Sequence, residues 1–554
     1  MLDSKFVSRS HQHGSCHFAR VIVQAMFVGC VLSSITSIAF GQAAGPALLA
    51  FPGAVGQGAV ALGGRGGDVY HVTNRDDYGQ LDAKIPGSLR DGIESASGPR
   101  TIVFDVGGGI ELSRPLVISQ DRLTLAGQTS PTGVSVWGYN TLIANAEDVV
   151  VRYLRFRTGD FNAMRTDENG TPLEPRQGNG RMDLIADSAD ALSVVGSNRV
   201  ILDHVSAAWG MDESLSVTLS KNVTVQHSLI FNSLNDSFHY KGAHGYGSLV
   251  RGEVTVEEHA NNEGGYTFYG NLWAHNTHRN PSFGGQQNLD LGQTEDQRRM
   301  TDVNFINNVV FDWQEQANHR SNLGTVHVNS IGNYFVTGPA TLSARAFNEN
   351  GEGHTELFVT GNYLDIDRDG EHDGFLIEDS DARRHYVGFE RTDRLMTPAD
   401  SEPFAFVETV ADALVSAEEA YDRLLASGGP SLWRDAIDQR VIDELETRTG
   451  GIINSQFEFA IDGKVPGIHQ EMLVVRPSTF DRDRDGISDD FERMFTLDPN
   501  DPLDAGATNL SGGGYTNLEV YLDWLTQTVP EPTSMHVSAY LVLTFVLARR
   551  CRKA

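Results

Sequence analysis

Cysteine is scarce here. Only Cys16, Cys30 and Cys551 occur in 554 residues, so the body between the termini cannot be cross-linked by a disulfide. That body must be stabilised by core burial, and by metal if it holds any. Basic charge is also short: 43 Lys and Arg face 73 Asp and Glu, for a formal net charge of −30. Nucleic-acid affinity comes mainly from basic contacts to phosphate, so the balance argues against such a partner. It suits an exported monomer that recruits cations, and divalent metal would let it hold an acidic polymer. The 57 glycines follow no Gly-X-Y period, which excludes collagen. Near the C-terminus the apolar block 537–548 has 12 residues, about 18 Å as a helix against a hydrocarbon core of about 30 Å. It is too short to span comfortably unless flanking residues join it.

Both ends carry targeting signals. Lys5, Arg9 and Arg20 precede the apolar "VIVQAMFVGCVLSSITSIAF" and the small residues of "GQAAG", the layout of a signal peptide over 1–43. A lipoprotein signal at "FVGC", with Cys30 lipidated, is the alternative. The tail 526–554 runs from a Pro/Glu spacer through the apolar block to Arg549 and Arg550. It resembles the PEP-CTERM sorting tails of exported Gram-negative proteins, which implies handling by sorting machinery and an envelope or extracellular location.

Between these signals a pattern recurs. "VVVRYLRF" from Val149, "VILDHVSA" from Val200, "VTVQHSLI" from Val223, "YTFYGNLW" from Tyr266, "VNFINNVV" from Val303 and "LFVTGNYL" from Leu357 each alternate, turn at a polar pair and resume. Asn271, Asn308, Asn333 and Asn362 fall at one repeat position. Short alternating strands with a turn at each corner predict stacked coils, none of them stable alone. Asparagine tolerates a left-handed corner, and a ladder of such residues would satisfy their amides. The fold class is all-β: a right-handed parallel β-helix over 44–401. A sandwich or propeller is the rival, and it lacks the long crossovers seen here. "PGSLRDGIESA" places Leu89, Ile93 and Ala96 on one helical face, a candidate N-terminal capping helix. Residues 402–475 turn to a helical pattern, "ETVADALVSAEEAYDRLLASGG" then "RDAIDQRVIDELETRTGG", with Gly428-Gly429 and Gly450-Gly451 as stops.

Polar stretches interrupt the coils. They carry Asp187, Asp190 and Asp203, then Asp212 and Glu213 in "WGMDES", Lys241 and His244 in "FHYKGAHGYG", and His275, His278 and Arg279 in "HNTHRNPSF". In a solenoid, residues one coil apart become neighbours about 4.8 Å apart. Carboxylates brought together in this way raise one another's pKa unless a cation neutralises them, and oxygen ligands suit Ca²⁺. Structural alternatives remain: Asp203-His204 as a corner pair, and His244, His275 and His278 as stacked histidines.

"FPGAVGQGAVALGGRGGDVYHVTN", "GSLRDGIE", "RTIVFDVGG", "LTLAGQT", "DALSV", "DHVSAAWGMDES", "KGAHGYG" and "HRNPSF" appear in this order over some 400 residues. In that order they resemble pectate lyases of polysaccharide lyase family 1. The resemblance implies a calcium-dependent β-elimination of polygalacturonate or a related uronan. Asp190, Asp212 and Glu213 would be metal ligands, Lys241 would hold a substrate carboxylate and Arg279 would take the C5 proton. His244 and His278 would contact substrate. Many members carry a second arginine where this chain has Gly284, and Arg298 or Arg299 could replace it. A non-catalytic glycan-binding solenoid is the alternative; a β-helical glycoside hydrolase is a weaker one.

A second metal signal lies outside the repeats. "DRDRDGISDDFE" has the spacing of a calcium loop: Asp481, Asp483 and Asp485 as oxygen donors, Gly486 for the turn, the Ile487 carbonyl, Asp489 through water and Glu492 as the closing carboxylate. The module 476–525 resembles dockerin or thrombospondin type 3 repeats. "DIDRDGEHDG" at Asp365 begins alike but has Leu376 where the closing Glu belongs.

Overall fold

The computed structural model describes residues 47–164, 182–183, 189–239, 241–285, 299–321, 324–351, 353–390, 393–468 and 473–527. The signal segment 1–43, residues 528–554 of the sorting tail, the three cysteines, Asp187 and Arg298 lie outside the described residues. Three ladders of parallel strands wind through the chain as the faces of a parallel β-helix. The first runs from Asp68–Val72 through Glu147–Arg152 and Thr325–Ile331 to Arg394–Met396. The second runs from Val106–Glu111 to Tyr363–Asp365, and the third from Leu116–Ile118 to Tyr386–Val387.

The register follows the sequence repeat. Val149 pairs with Val200, Val200 with Val223, Val223 with Tyr266, Tyr266 with Val303, Val303 with Val328, and Val328 with Leu357. All of these side chains are buried in one continuous core. A strand slipped by one residue would turn its apolar set outward, so burial fixes the register. At one corner the asparagines form the expected ladder. Asn308 Oδ1 accepts from the backbone N–H and Nδ2 of Asn271, each at 3.0 Å, and Asn333 and Asn362 repeat the pattern.

The glycine-rich segment after Phe51 lies across the outside of the first ladder, where Ala50, Phe51, Ala54, Ala59 and Ala61 cover Val150 and Ile201. Its glycines have a spatial reason. A Cβ on Gly58 would lie 2.3 Å from the Val200 carbonyl oxygen, and one on Gly64 would lie 2.3 Å from the Arg100 backbone. Nearby, the short helix Leu89–Glu94 buries Leu89 and Ile93 and is capped by Ser88.

The helical flank departs from its periodic reading in two places. "ETVADALVSAEEAYDRLLASGG" is not one helix: a 3-10 helix Ala405–Ala413 precedes an α-helix Ala417–Ser427. Asn307 holds the break open. Its Nδ2 donates to the Val415 carbonyl at 2.8 Å, and its Oδ1 accepts from the Val415 N–H at 3.1 Å. The next helix, Ala436–Thr447, stops before the glycines because Arg448 turns left-handed at φ 55°. That turn carries the guanidinium to Asp365 and the Tyr421 hydroxyl, each at 2.8 Å. Asp365, which opens the shorter acidic stretch, is therefore engaged by a cation of the chain itself.

Candidate active site

The site forms at the corner between the second and third ladders, where successive coils stack one acid-bearing turn on the next. Asp190 precedes strand Leu192–Val195; Asp212 and Glu213 precede Leu215–Gln226 one coil later. Backbone bonds set the stacking. The Ala191 N–H donates to the Glu213 carbonyl at 3.1 Å, the Tyr246 N–H to Asp212 at 3.0 Å and the Gly247 N–H to His278 at 2.9 Å. Glu213 bridges to Tyr246 and Tyr246 to His278, so "WGMDES", "GYG" and "HRNP" occupy one corner on consecutive coils. Arg279 stands there in the left-handed region, φ 59°, before the cis Asn280–Pro281 peptide.

This stacking gathers three buried carboxylates. Asp190, Asp212 and Glu213 are 6%, 3% and 2% exposed, and they bring an oxygen each within 4.8 Å of one another. Ser193 Oγ donates to Asp190 Oδ2 at 2.7 Å, and the Glu213 N–H donates to Asp190 Oδ1 at 3.2 Å. Burial and the charges of Glu213 and Asp212 push the Asp190 carboxyl well above its usual range. Burial also lifts Glu213; Arg279 opposes the rise and Asp212 adds to it. Unneutralised charge of one sign in a dry corner is costly, so the donor set suits a hard divalent cation with oxygen ligands.

Arg279 Nη1 bonds Glu213 Oε1, and its guanidinium lies 4.3 Å from the centre of the Tyr246 ring. Burial works to lower its pKa, but Glu213 and Asp212 outweigh that and hold it above the ordinary arginine value. His244 is turned inward, with Nε2 3.0 Å from Asp212 Oδ1 and its ring stacked on His239 at 4.0 Å. It is 6% exposed and meets the acid cluster. His278 pairs its Nε2 with Glu315 at 3.0 Å. Lys241 is exposed on the intervening turn, where its N–H donates to His239 Nδ1 at 3.2 Å.

Sequence reasoning missed three groups. His239 and Tyr246 flank the residues it chose, and only stacking shows that they back Asp212 and Arg279. The third is Arg251, the register partner of Gly284. Its guanidinium is buried against the Val250 and Ser282 carbonyls, both at 2.8 Å, and burial with the Arg279 charge pulls its pKa down to about 9. Arg299, one of the two suggested substitutes, faces Glu253 at 3.5 Å.

The residues chosen in the C-terminal loop do not all face one way. Asp481 accepts from the N–H groups of Arg484 and Gly486 at 2.7 and 2.9 Å, and Asp485 Oδ1 accepts from Ile487 at 2.9 Å. Both oxygens of Asp483 and of Glu492, and Asp485 Oδ2, are buried with no hydrogen-bond donor among the described residues. Asp489 turns elsewhere: Oδ1 accepts from the Arg482 N–H at 3.0 Å and Oδ2 pairs with Arg493 at 2.6 Å.

No family model matches the chain. It is 33% identical over 502 residues to a probable pectate lyase C of Aspergillus fumigatus, covering 90% of this chain and 97% of that one. With the probable pectate lyase C of Emericella nidulans it shares 33% over 493 residues, covering 88% and 94%. Pectate lyase 1 of Cryptomeria japonica matches at 30% over 185 residues, 32% of this chain and 46% of that one. Among solved structures, the major allergen of cedar pollen superposes with a TM-score of 0.42 at 17% identity, over 68% of this chain and 92% of that one. A thermostable pectate lyase superposes at 0.43 and 13%, over 68% and 97%.

Proposed function

The chain belongs to the pectate lyase family and is a polysaccharide lyase, and on that premise we propose that it cleaves polygalacturonate or a related uronan by calcium-dependent β-elimination at the Asp190–Arg279 corner. The observation that carries the reading is the convergence of Asp190, Asp212 and Glu213 on the guanidinium of Arg279. Asp190, Asp212 and Glu213 would hold Ca²⁺, with His244 bracing Asp212. Ca²⁺ held there would supply the positive charge that draws a uronate carboxylate to these residues and makes its C5 proton more acidic. Arg279 would accept that proton. The C5–H electron pair would then form the C4=C5 double bond as the C4–O glycosidic bond breaks, and the departing oxygen would take up a proton.

Arginine seldom serves as a base because it stays protonated at ordinary pH, and Glu213 holds it protonated more firmly here. Neutralising Glu213 removes the largest influence that raises Arg279, while the buried Arg251 opposes its protonation from the next rung. Lys241, on the exposed turn, would pair with a substrate carboxylate, and His278 would line the same side. Tyr246 would keep the guanidinium planar and aimed. Export by residues 1–43 and retention by the tail complete the reading.

The test is polygalacturonate with Ca²⁺, following the ultraviolet absorbance of an unsaturated uronate. Chelation should abolish turnover and added Ca²⁺ should restore it. Full turnover in excess chelator, with metal content shown to be nil, would refute the calcium role. Reducing ends released without the absorbance would point to hydrolysis.

A further inference from the structure

The C-terminal loop holds acid that the lyase corner does not use. Asp485 and Glu492 are 3% and 0% exposed, yet Asp485 Oδ2 and both Glu492 oxygens meet no hydrogen-bond partner among the described residues. Asp504, from the turn beyond the loop's helix Asp489–Phe495, brings its Oδ1 into the same condition. Its Oδ2 accepts from the Asp498 N–H at 2.9 Å, so one oxygen is anchored and the other is left over. Burial, with the neighbouring acids, pushes Asp483 up to about 6 and Asp485 and Glu492 up to about 8, and Asp504 contributes to all three.

Two species could relieve this crowding, protons or a cation. Shared protons would pair the acids two at a time, as Asp483 with Asp481, and would leave the others crowded. A cation needs only converging oxygens. Burying such groups unpaired costs several kcal/mol. The donors would be carboxylates with, by the loop's spacing, the main-chain carbonyl of Ile487, which is the chemistry of Ca²⁺.

The loop is not suspended in solvent. A Cβ on Gly486, at φ +91°, would lie 3.0 Å from Val69 and 3.5 Å from Val103, both in the first coils. His71 of the first strand meets the Arg484 carbonyl at 3.2 Å and Asp481 at 3.5 Å through Nε2. Ile487 and Phe491, which flank the ligands, share an apolar cluster with Leu518, Tyr521, Leu522 and Ala126 of the solenoid.

We propose that Asp504, not Asp489, completes a calcium site with Asp481, Asp483, Asp485, the Ile487 carbonyl and Glu492, and that the filled loop clasps the C-terminal module onto the outer face of the first coils. The ligands fix the path of the chain from Asp481 to Glu492, and that path seats Gly486, Ile487 and Phe491 on the solenoid. This site is separate from the lyase corner and does not depend on the reaction proposed there.

The test uses the full chain, with Ca²⁺ as the probe, equilibrium dialysis for stoichiometry and limited proteolysis for docking. An Asp212→Asn background removes the corner's contribution, and the same series in the unaltered background guards against misfolding of that variant. Asp504→Asn is expected to weaken calcium at the loop by about tenfold or more, and Asp489→Asn to leave it unchanged. Chelation, or Asp504→Asn at a Ca²⁺ level that protects the parent, should open 476–527 to cleavage while the coils stay intact. Wild-type affinity and protection in Asp504→Asn would overturn the assignment of the ligand. Equal protease resistance with and without Ca²⁺ would overturn the clasp.

Discussion

At Arg279 the proposed base sits among carboxylates that hold it protonated. Turnover should therefore rise with pH: Glu213 and Asp212 hold the group protonated, and alkaline conditions lower the cost of the neutral form. Arg279→Lys should be nearly as damaging as Arg279→Ala, because a point ammonium replaces a planar donor fixed on Tyr246. A positioned base contributes about 10²- to 10⁴-fold, so kcat per folded molecule should fall by at least the lower figure. The melting transition, measured alongside, separates this from loss of fold. A folded Arg279→Lys enzyme with near-normal turnover would exclude Arg279 as the base. Much of the corner was legible because Asp190, Asp212, Glu213 and Arg279 sit in short, unusual motifs. His239 and Tyr246 were not, since histidine and tyrosine in a polar loop carry no mark of what will lie one coil away.

Elements are stabilised here by contacts between coils. Asn308 accepts two bonds from Asn271 and donates to Asn333 and to the Phe268 carbonyl. Asn308→Ala leaves buried donors on the coil below unsatisfied and should cost about 2 kcal/mol, read from denaturant unfolding. The helix Val256–Ala260 is held in another way: His259 and His327 each meet Asp302 through Nδ1 at 2.7 Å. The bond to Asp302 raises the His259 pKa, with burial opposing. Burial tends to raise Asp302, but the two histidines outweigh it and lower its pKa. Asp302 thus contributes stability above its unfolded value near 3.9, lost as pH falls through its lower folded value. His259 contributes fully below its unfolded value near 6.5, and loses that contribution as pH rises through its higher folded value. The melting difference between wild type and His259→Ala should therefore be largest between about pH 4 and 6.5. A constant difference up to pH 9 would show that charge plays no part.

On the scale of the molecule, the solenoid and the C-terminal module share a surface. Arg476 donates to the Thr129 carbonyl at 2.6 Å and Arg65 pairs with Glu519 at 2.7 Å, so the module is stapled to the early coils. The acid corner lies later in the coil stack, at Asp190 to Arg279. Deleting 476–525 should lower the melting midpoint, by uncovering Val69 and Ala126, and leave kcat per folded molecule unchanged. Lost turnover in a folded truncation would tie the module to catalysis.

The sequence by itself determined the coil. Its valines and its spaced asparagines are local properties, although the left-handed corner falls on the residue before each ladder asparagine, at Gly270, Asn307, Gly332 and Gly361; parallel stacking follows once each apolar set must be buried. The choice of Asp190, Asp212 and Glu213 among the acids came from the resemblance, since the coil intervals are too uneven to name neighbours. Only the tertiary structure decided where the partners fall. Asn307 breaks a helix of good periodicity, Arg448 ends another to reach Asp365, and His244 turns in to Asp212. Asp489 turns to Arg493, while Asp504 leaves a buried oxygen unpartnered among the described residues. Each choice depends on a group more than a dozen residues away in sequence, or on competition from a nearby arginine. Periodicity carries no term for either.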